Sequence, residues 1–315
     1  MSVVPIRQEC RNIQPDYALS SFLSFKKTQG VSFRTQDDYQ SILGFFFRLH
    51  PNALDAPRES TLAFLGRYSN PASFNLRYSY LSVFWKWMME EGYFRGDGYP
   101  LRGLKKRKVQ HRIIQLSEKD IGRLLKQPNT TTYCGLRDYA LLLLSIDTGA
   151  RPNEALTLTP EDYSREEGSI TIRAEHAKTR TARTLPLSPP TMDAMNRLLA
   201  VRPKEWSAAT IFCSDTGTPF QVVSWSRRVK DYGKACGLNV TAYSLRHCAA
   251  LMLLRQGASA FAVQRVLGHS SMTMTRVYVN LNDEDIRREH ATAGVILHIL
   301  GGKAPTPPRK RLRRI

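Results

Sequence analysis

Arg137-Asp138-Tyr139-Ala140-Leu141-Leu142-Leu143-Leu144-Ser145-Ile146-Asp147-Thr148-Gly149-Ala150-Arg151-Pro152-Asn153-Glu154-Ala155-Leu156 decides how the rest of the chain is read. Arg137 to Ile146 is apolar nearly all round, the pattern of a helix buried on every side. Its longest apolar run, Ala140 to Leu144 extended by Ser145 and Ile146, is flanked by Asp138 and Asp147 and is far too short to cross a bilayer. Gly149 permits a tight exit, and Arg151 follows at once on a rigid element. Rigid mounting is what a guanidinium needs to hold a phosphate through two parallel hydrogen bonds. Glu154, three residues on, can orient that guanidinium. Taken alone, the same residues also read as a helix C-terminus whose Arg151 answers the dipole.

Outward from this stretch the period changes and then returns. Upstream, Ser117-Glu118-Lys119-Asp120 reads as a capping box opening a helix with Ile121, Leu124 and Leu125 on one face. Downstream, Ser169-Ile170-Thr171-Ile172-Arg173 alternates, and Arg183-Thr184-Leu185-Pro186-Leu187 closes a hairpin with it. Glu167-Gly168 gives the turn before the first of these strands. Helices resume near residue 189; Gly257 stops the one that carries Arg246, and Ser259 caps the next. Residues 14 to 100 read as an all-helical domain, with Leu19, Phe22, Leu23 and Phe25, then Tyr39, Ile42, Leu43, Phe46 and Phe47, then Leu81, Phe84, Trp85 and Met88 at helical spacing. Its aromatics are expected in the core, since no sheet pattern is there to display them. The expected fold is mainly α with a small antiparallel β-sheet, in two domains.

The chain has 315 residues, room for two hydrophobic cores, and 42% of them are apolar. Lys and Arg number 46 against 27 Asp and Glu, a net +19, which points to a polyanionic partner. The five cysteines (Cys10, Cys134, Cys213, Cys236 and Cys248) are scattered without a C-x-x-C pair, which indicates neither a disulfide framework nor a zinc site and fits a reducing cytosol. No P-loop or dinucleotide glycine pattern appears, so neither cofactor nor metal is expected. Met1 to Cys10 lacks the apolar stretch of a signal peptide. Between the two periodic regions lies Lys105-Lys106-Arg107-Lys108, followed by His111-Arg112. This run reads as an exposed basic linker whose Lys105, Lys106, Arg107, Lys108 and Arg112 contact phosphates. Pro305 to Ile315 reads as a disordered basic tail.

Two further segments carry chemistry. In Tyr243-Ser244-Leu245-Arg246-His247, positions 243 and 246 share one helix face, while His247 points a quarter-turn or more away. In Leu267-Gly268-His269-Ser270-Ser271-Met272-Thr273-Met274-Thr275-Arg276-Val277-Tyr278, a glycine frees the backbone just before His269, and Tyr278 follows nine residues later. Each alone is compatible with a structural role. The ordered set of Gly-Ala-Arg with a glutamate three later, Tyr-x-x-Arg-His, Leu-Gly-His and then Tyr is far more specific.

That ordered set closely resembles the catalytic domain of tyrosine recombinases, the phage-integrase and Xer-like family, over about Leu116 to Glu289. The resemblance implies domains at 1–105 (a helical core-binding domain), 106–115 (the linker), 116–300 (the catalytic domain with a C-terminal helix) and 301–315 (the tail). It implies that Arg151 and Arg246 clamp the scissile phosphate, that Lys178 protonates the leaving 5′ oxygen, and that His269 hydrogen-bonds the phosphate. Tyr278 is then the nucleophile and Glu154 supports the first arginine. Tyr243 departs from the family, which usually carries histidine there. A phenol is a poor proton acceptor at neutral pH, so Tyr243 is expected to donate or position instead of acting as general base. The implied activity is site-specific recombination and DNA integration through a 3′-phosphotyrosyl intermediate and a Holliday junction, independent of metal and ATP. The implied partners are double-stranded DNA at two sites and, on DNA, a homotetramer formed from a free monomer or weak dimer. The implied setting is bacterial, cytoplasmic and nucleoid-associated, on a mobile element such as a transposon, plasmid or phage. Three other readings are a type IB topoisomerase, a telomere resolvase and a catalytically retired DNA-binding regulator.

Overall fold

Proline opens three of the first four helices of the computed structural model, which describes residues 13–93, 98–109, 116–206 and 209–279. Proline suits a first helical turn because its missing N–H has no intrahelical partner there. The four are α1 (Pro15–Thr28), α2 (Phe33–Leu49), α3 (Pro57–Gly66) and α4 (Pro71–Glu90). The Ser32 hydroxyl accepts from the Thr35 N–H, and the Asn70 side chain accepts from Ala72 and Ser73, each cap contributing about 1 kcal/mol. Phe22, Phe46, Phe64, Phe84 and Trp85 are fully buried between these helices, packed largely edge-to-face, as with Phe22 on Phe84 at 5.4 Å. The Trp85 indole donates to Thr61 Oγ1 at 2.9 Å, so its burial leaves no orphaned donor. The aromatics are core, as their periodicity predicts.

The segment after α4 is held against the first unit as far as Arg107. Leu101 is buried in the aromatic core. The Tyr78 hydroxyl donates to the Leu104 carbonyl at 3.1 Å, and Arg58 donates to the carbonyls of Pro100 and Arg102. Asn75 binds Arg107 both ways, donating to its carbonyl and accepting from its N–H at 2.8 Å each. Lys105, Lys106 and Lys108 are exposed. Arg107, expected to contact phosphate, is also exposed and is anchored to its own unit. Its Nη1 donates to the carbonyls of Tyr68 and Ser69, and its guanidinium lies 3.9 Å from the Phe74 ring centre. Arg112 lies outside the described residues. The chain divides into two compact units, Met1–His111 and Arg112–Ile315.

The second unit is built around α6 (Tyr133–Thr148), the apolar helix from which the sequence was read. It starts four residues before Arg137 because Thr132 caps it, accepting from the Gly135 N–H. Before it come the boxed helix α5 (Glu118–Leu125); after it come α7 (Pro152–Leu156) and the strands β1 (Tyr163–Ser164), β2 (Ser169–Ile172) and β3 (Arg183–Pro186). The strands form an antiparallel sheet in the order β1-β2-β3, with buried Ile170 opposite buried Leu185. β1 was not foreseen: two residues are too few to show alternation, and Gly168 turns the chain between β1 and β2. Then follow α8 (Pro189–Ala200), α9 (Val222–Ala235), α10 (Ala242–Arg255), α11 (Ala260–Leu267) and α12 (Met272–Val279). Leu141, Leu144, Met195, Leu198, Phe212 and Trp225 share one core. Tyr278 belongs to a separate small cluster with Ala250, Leu251, Val263 and Leu267. The chain is thus mostly helical with a small antiparallel sheet, as expected. The C-terminal helix and basic tail expected beyond residue 279 lie outside the described residues.

Candidate active site

Two helices end at the site, each in a left-handed glycine. Gly149 closes α6 at φ 62° and Gly268 closes α11 at φ 63°. A side chain at Gly149 would also meet Leu267 at 2.5 Å, so the two helix ends pack directly against each other. Arg151 follows the first glycine as the N-cap of α7, and His269 follows the second.

Buried Arg246 reaches both ends. Its Nη1 donates to the Gly149 carbonyl and its Nη2 to the Leu267 carbonyl, each at 2.7 Å. Burial, and next the charge of Arg151, lower its pKa to about 10, so it stays charged at neutral pH. Arg151 Nη2 donates to the Gly268 carbonyl at 3.2 Å, and its Nη1 pairs with Glu154 at 2.9 Å. Buried Glu154 also pairs with Arg183 on β3 at 2.6 Å. Burial alone would raise its pKa; the hydrogen bonds and charge of Arg183, then those of Arg151, outweigh burial and hold the carboxyl below its ordinary value. Arg183 in turn donates from Nε to the Val266 carbonyl at 3.1 Å. Three guanidiniums are therefore held around one carboxylate and two helix C-termini.

His269 is buried, with Nδ1 2.9 Å from the Thr275 hydroxyl. Burial first, and then the charges of Arg246 and Arg151, lower its pKa to about 4, so at neutral pH its ring is uncharged. It stacks parallel to Tyr278, with ring centres 6.3 Å apart. Tyr278 is buried, and burial raises its pKa against the opposing charge of Arg246. Its hydroxyl lies 2.6 Å from Nδ1 of His247.

The structure thus brings together Arg151, Glu154, Arg246, His269 and Tyr278. It does not bring Lys178 or Tyr243 to them. Lys178 stands exposed between β2 and β3, with no hydrogen bond or ion pair among the described residues. The nearby Arg180 adopts φ 53°, a conformation L-residues rarely hold. Tyr243 is 57% exposed and likewise makes no hydrogen bond among the described residues. Its i, i+3 spacing to Arg246 is real, but the face they share turns from solvent into the core within that single turn. His247 and Arg183 were missed as members of the cluster. Arg183 sits 29 residues from Glu154, and no local pattern reports such a pairing. A groove of about 820 Å³, lined in part by Thr181, Arg183, Gln264, Arg265 and His269, opens beside the cluster.

Fixed cations, a neutral histidine and a buried phenol are the groups that attack on a phosphodiester by tyrosine would use. Comparison with known proteins agrees. The Phage integrase family model matches residues 115–285. Tyrosine recombinase XerD of Lacticaseibacillus casei is 31% identical over 224 residues, covering 69% of this chain and 74% of that one. Tyrosine recombinase XerA of Pyrococcus furiosus is 26% identical over 292 residues, covering 90% of this chain and 96% of that one. The fold matches that of a lambda integrase dimer bound to a COC' core site, with a TM-score of 0.69 at 20% identity over 84% of this chain and 77% of that one. The chain belongs to the phage integrase family of tyrosine recombinases, and is a DNA strand-transferase. Among the described residues, no helix is long and apolar enough to cross a membrane.

Proposed function

We propose that this protein recombines DNA site-specifically, with Tyr278 as the nucleophile that cleaves one strand and holds it as a 3′-phosphotyrosine. The observation that carries the reading is the buried Tyr278 hydroxyl beside a surplus of cations: three guanidiniums, of Arg151, Arg183 and Arg246, against the single carboxylate of Glu154. A phosphodiester under attack gains negative charge, and donors already in place stabilise it without reorganising. Arg151 and Arg246 clamp the nonbridging oxygens through N–H groups not used on carbonyls. His269, neutral and engaged through Nδ1, offers Nε2 to the phosphate. Lys178, on the β2–β3 connection, protonates the departing 5′ oxygen once DNA draws that connection in. Tyr243 meets the backbone of bound DNA as a donor. The covalent link conserves the bond energy of the broken strand, so rejoining needs no ATP.

Lys105, Lys106 and Lys108 supply sequence-independent contact to phosphates, which fits the net charge of +19. Exchange between two sites through a Holliday junction requires four active sites, and a homotetramer on DNA is the assembly proposed. One solved relative of the same fold is a lambda integrase tetramer bound to a Holliday junction. The setting proposed is the cytoplasm, where the DNA is. The test is a nicked duplex that traps the covalent adduct. Wild type should give an adduct with a free 5′ hydroxyl, in the presence of chelator, and Tyr278→Phe should give none while binding within a few-fold of wild type. A 5′-phosphotyrosine, or an adduct with Y278F, refutes the reading.

A further inference from the structure

We propose that His247 is the general base of this site, taking the proton of the Tyr278 hydroxyl through Nδ1 as the tyrosine attacks and returning it when the strand is rejoined. The proposal rests on Tyr278 being the nucleophile.

The geometry points to His247 from three sides. First, its Nδ1 is 2.6 Å from the Tyr278 hydroxyl, inside the reach a base must have, and it is that hydroxyl's one hydrogen-bond partner among the described residues. Second, every other candidate is committed or distant. His269 holds Thr275 through Nδ1 and lies parallel to the phenol ring without bonding its hydroxyl. Both oxygens of Glu154 are taken by Arg151 and Arg183. Tyr243 points to solvent. Third, the phenol needs a base. Burial raises its pKa against the opposing charge of Arg246, so at neutral pH the resting hydroxyl keeps its proton.

The step balances without a co-reactant. The Tyr278 O–H bond breaks toward Nδ1 of His247 as the Oη–P bond forms and the P–O5′ bond breaks. The 5′ oxygen takes its proton from the general acid. In rejoining, the 5′ hydroxyl gives its proton back to the conjugate base of the general acid as it attacks, the P–Oη bond breaks, and the imidazolium returns its proton to Oη. This requires His247 to be neutral at the start. Among the described residues, the charged and titratable groups around the pair are Arg246 on the same helix, His269 from the loop before α12, and Arg151, Glu154 and Arg183 about Gly268.

His247 adjoins Arg246 on α10. The same helical turn therefore aims a buried guanidinium at two helix ends and an imidazole at α12. That placement accounts for the exposed tyrosine at 243: a base already sits on the nucleophile, and position 243 is free of the task.

The test uses the full-length protein and a nicked duplex carrying the sequence that this protein itself enriches from a random duplex pool. Adduct formation is timed for wild type, His247→Gln, His247→Ala and Tyr278→Phe. Binding of each to the same duplex, measured alongside, reports whether it folds. H247Q keeps a hydrogen bond but cannot take a proton, so its rate should fall by about 10²–10⁴-fold. Added imidazole should partly restore H247A. The wild-type rate should rise with pH and level off where imidazoles titrate, whereas the H247Q rate should keep rising toward phenol ionisation. A duplex with sulfur in place of the bridging 5′ oxygen needs no general acid; it should restore Lys178→Ala but leave H247Q slow. H247Q within about threefold of wild type, an unchanged pH profile, or full rescue of H247Q by the sulfur duplex would each overturn the base assignment while Y278F remains inert. An adduct formed by Y278F would overturn the nucleophile and the base together.

Discussion

Replacing Glu154 by glutamine tests whether one buried carboxylate holds the arginines in place. Glu154 is 1% exposed and accepts four N–H bonds: from the Arg151 backbone at 3.0 Å, from Arg151 Nη1 at 2.9 Å, and from Arg183 Nη2 and Nη1 at 2.6 and 3.4 Å. Glutamine keeps the shape but turns one oxygen into an NH2 group facing donors, and it removes the charge. Breaking one side of a buried ion pair costs about 3–5 kcal/mol. Arg151 and Arg183 retain 12% and 11% side-chain exposure, so some water relieves them and a cost of about 3 kcal/mol is expected. With a urea slope of about 2 kcal/mol per molar, the unfolding midpoint should fall by about 1.5 M. Urea-dependent hydrogen exchange read by mass spectrometry resolves the two units separately, and only peptides of the second should shift. The folded carboxyl titrates below its ordinary value, so its contribution is complete above about pH 4.3 and is lost as pH falls through the lower folded value. The wild-type advantage over E154Q should therefore shrink in acid. A midpoint shift under about 0.3 M at pH 7, or an advantage that grows in acid, would refute this account of Glu154.

Four other perturbations separate the roles assigned above. Arg107→Ala should destabilise the first unit by about 1–3 kcal/mol, through two lost carbonyl bonds and the lost stacking on Phe74, a change visible in its melting without DNA. Neutralising Lys105, Lys106 and Lys108 should leave melting alone and flatten the salt dependence of DNA binding by up to about 2.7 in log–log slope; a loss confined to one sequence would mean the segment reads bases. Gly149→Ala places a Cβ 2.5 Å from Leu267 in a left-handed backbone and should cost about 2–4 kcal/mol; full stability measured by denaturation would show the helix ends can move apart. Tyr243→Phe should change stability by less than about 0.5 kcal/mol and slow adduct formation less than H247Q does; the reverse order of rates would return the base to position 243.

What the sequence disclosed follows from how local each signal is. α1, α2, α4 and α6 are written in periodicity and caps that act within a few residues, and the structure repeats them closely, whereas α3 (Pro57–Gly66) was not singled out. The hairpin β2–β3 was legible because its strands alternate; β1 was not, because two residues carry no period. Arg151, Arg246, His269 and Tyr278 stand out because each sits in a short phrase beside a glycine or a fixed partner. His247 was set aside because 100° per residue turns it away from Arg246, and which element waits on that side is a matter of tertiary packing. The partners of Arg183 and Arg107 stayed out of sight for the same reason. Charge says that a guanidinium seeks anions or carbonyls, but not that Val266, 83 residues on, supplies one.

The two glycines explain why the signature reads as it does. A helix C-terminus presents unsatisfied carbonyls and about half a negative charge. α6 offers the Gly149 carbonyl, and α11 offers those of Val266, Leu267 and Gly268. Each glycine stops its helix in a left-handed turn, so the chain leaves at once and the carbonyls stay open to side chains. Arg151, Arg183 and Arg246 take them. Like charges that would otherwise repel are thus fixed by helix ends and one carboxylate before any phosphate arrives. Each bound Nη keeps a second N–H for the substrate. A carboxylate for every arginine would cancel the field on which the reaction depends, whereas helix ends offset it only in part. Gly-Ala-Arg and Leu-Gly-His are therefore two halves of one device: a glycine that opens a helix end, followed by a group that the proposed reaction sets on phosphate.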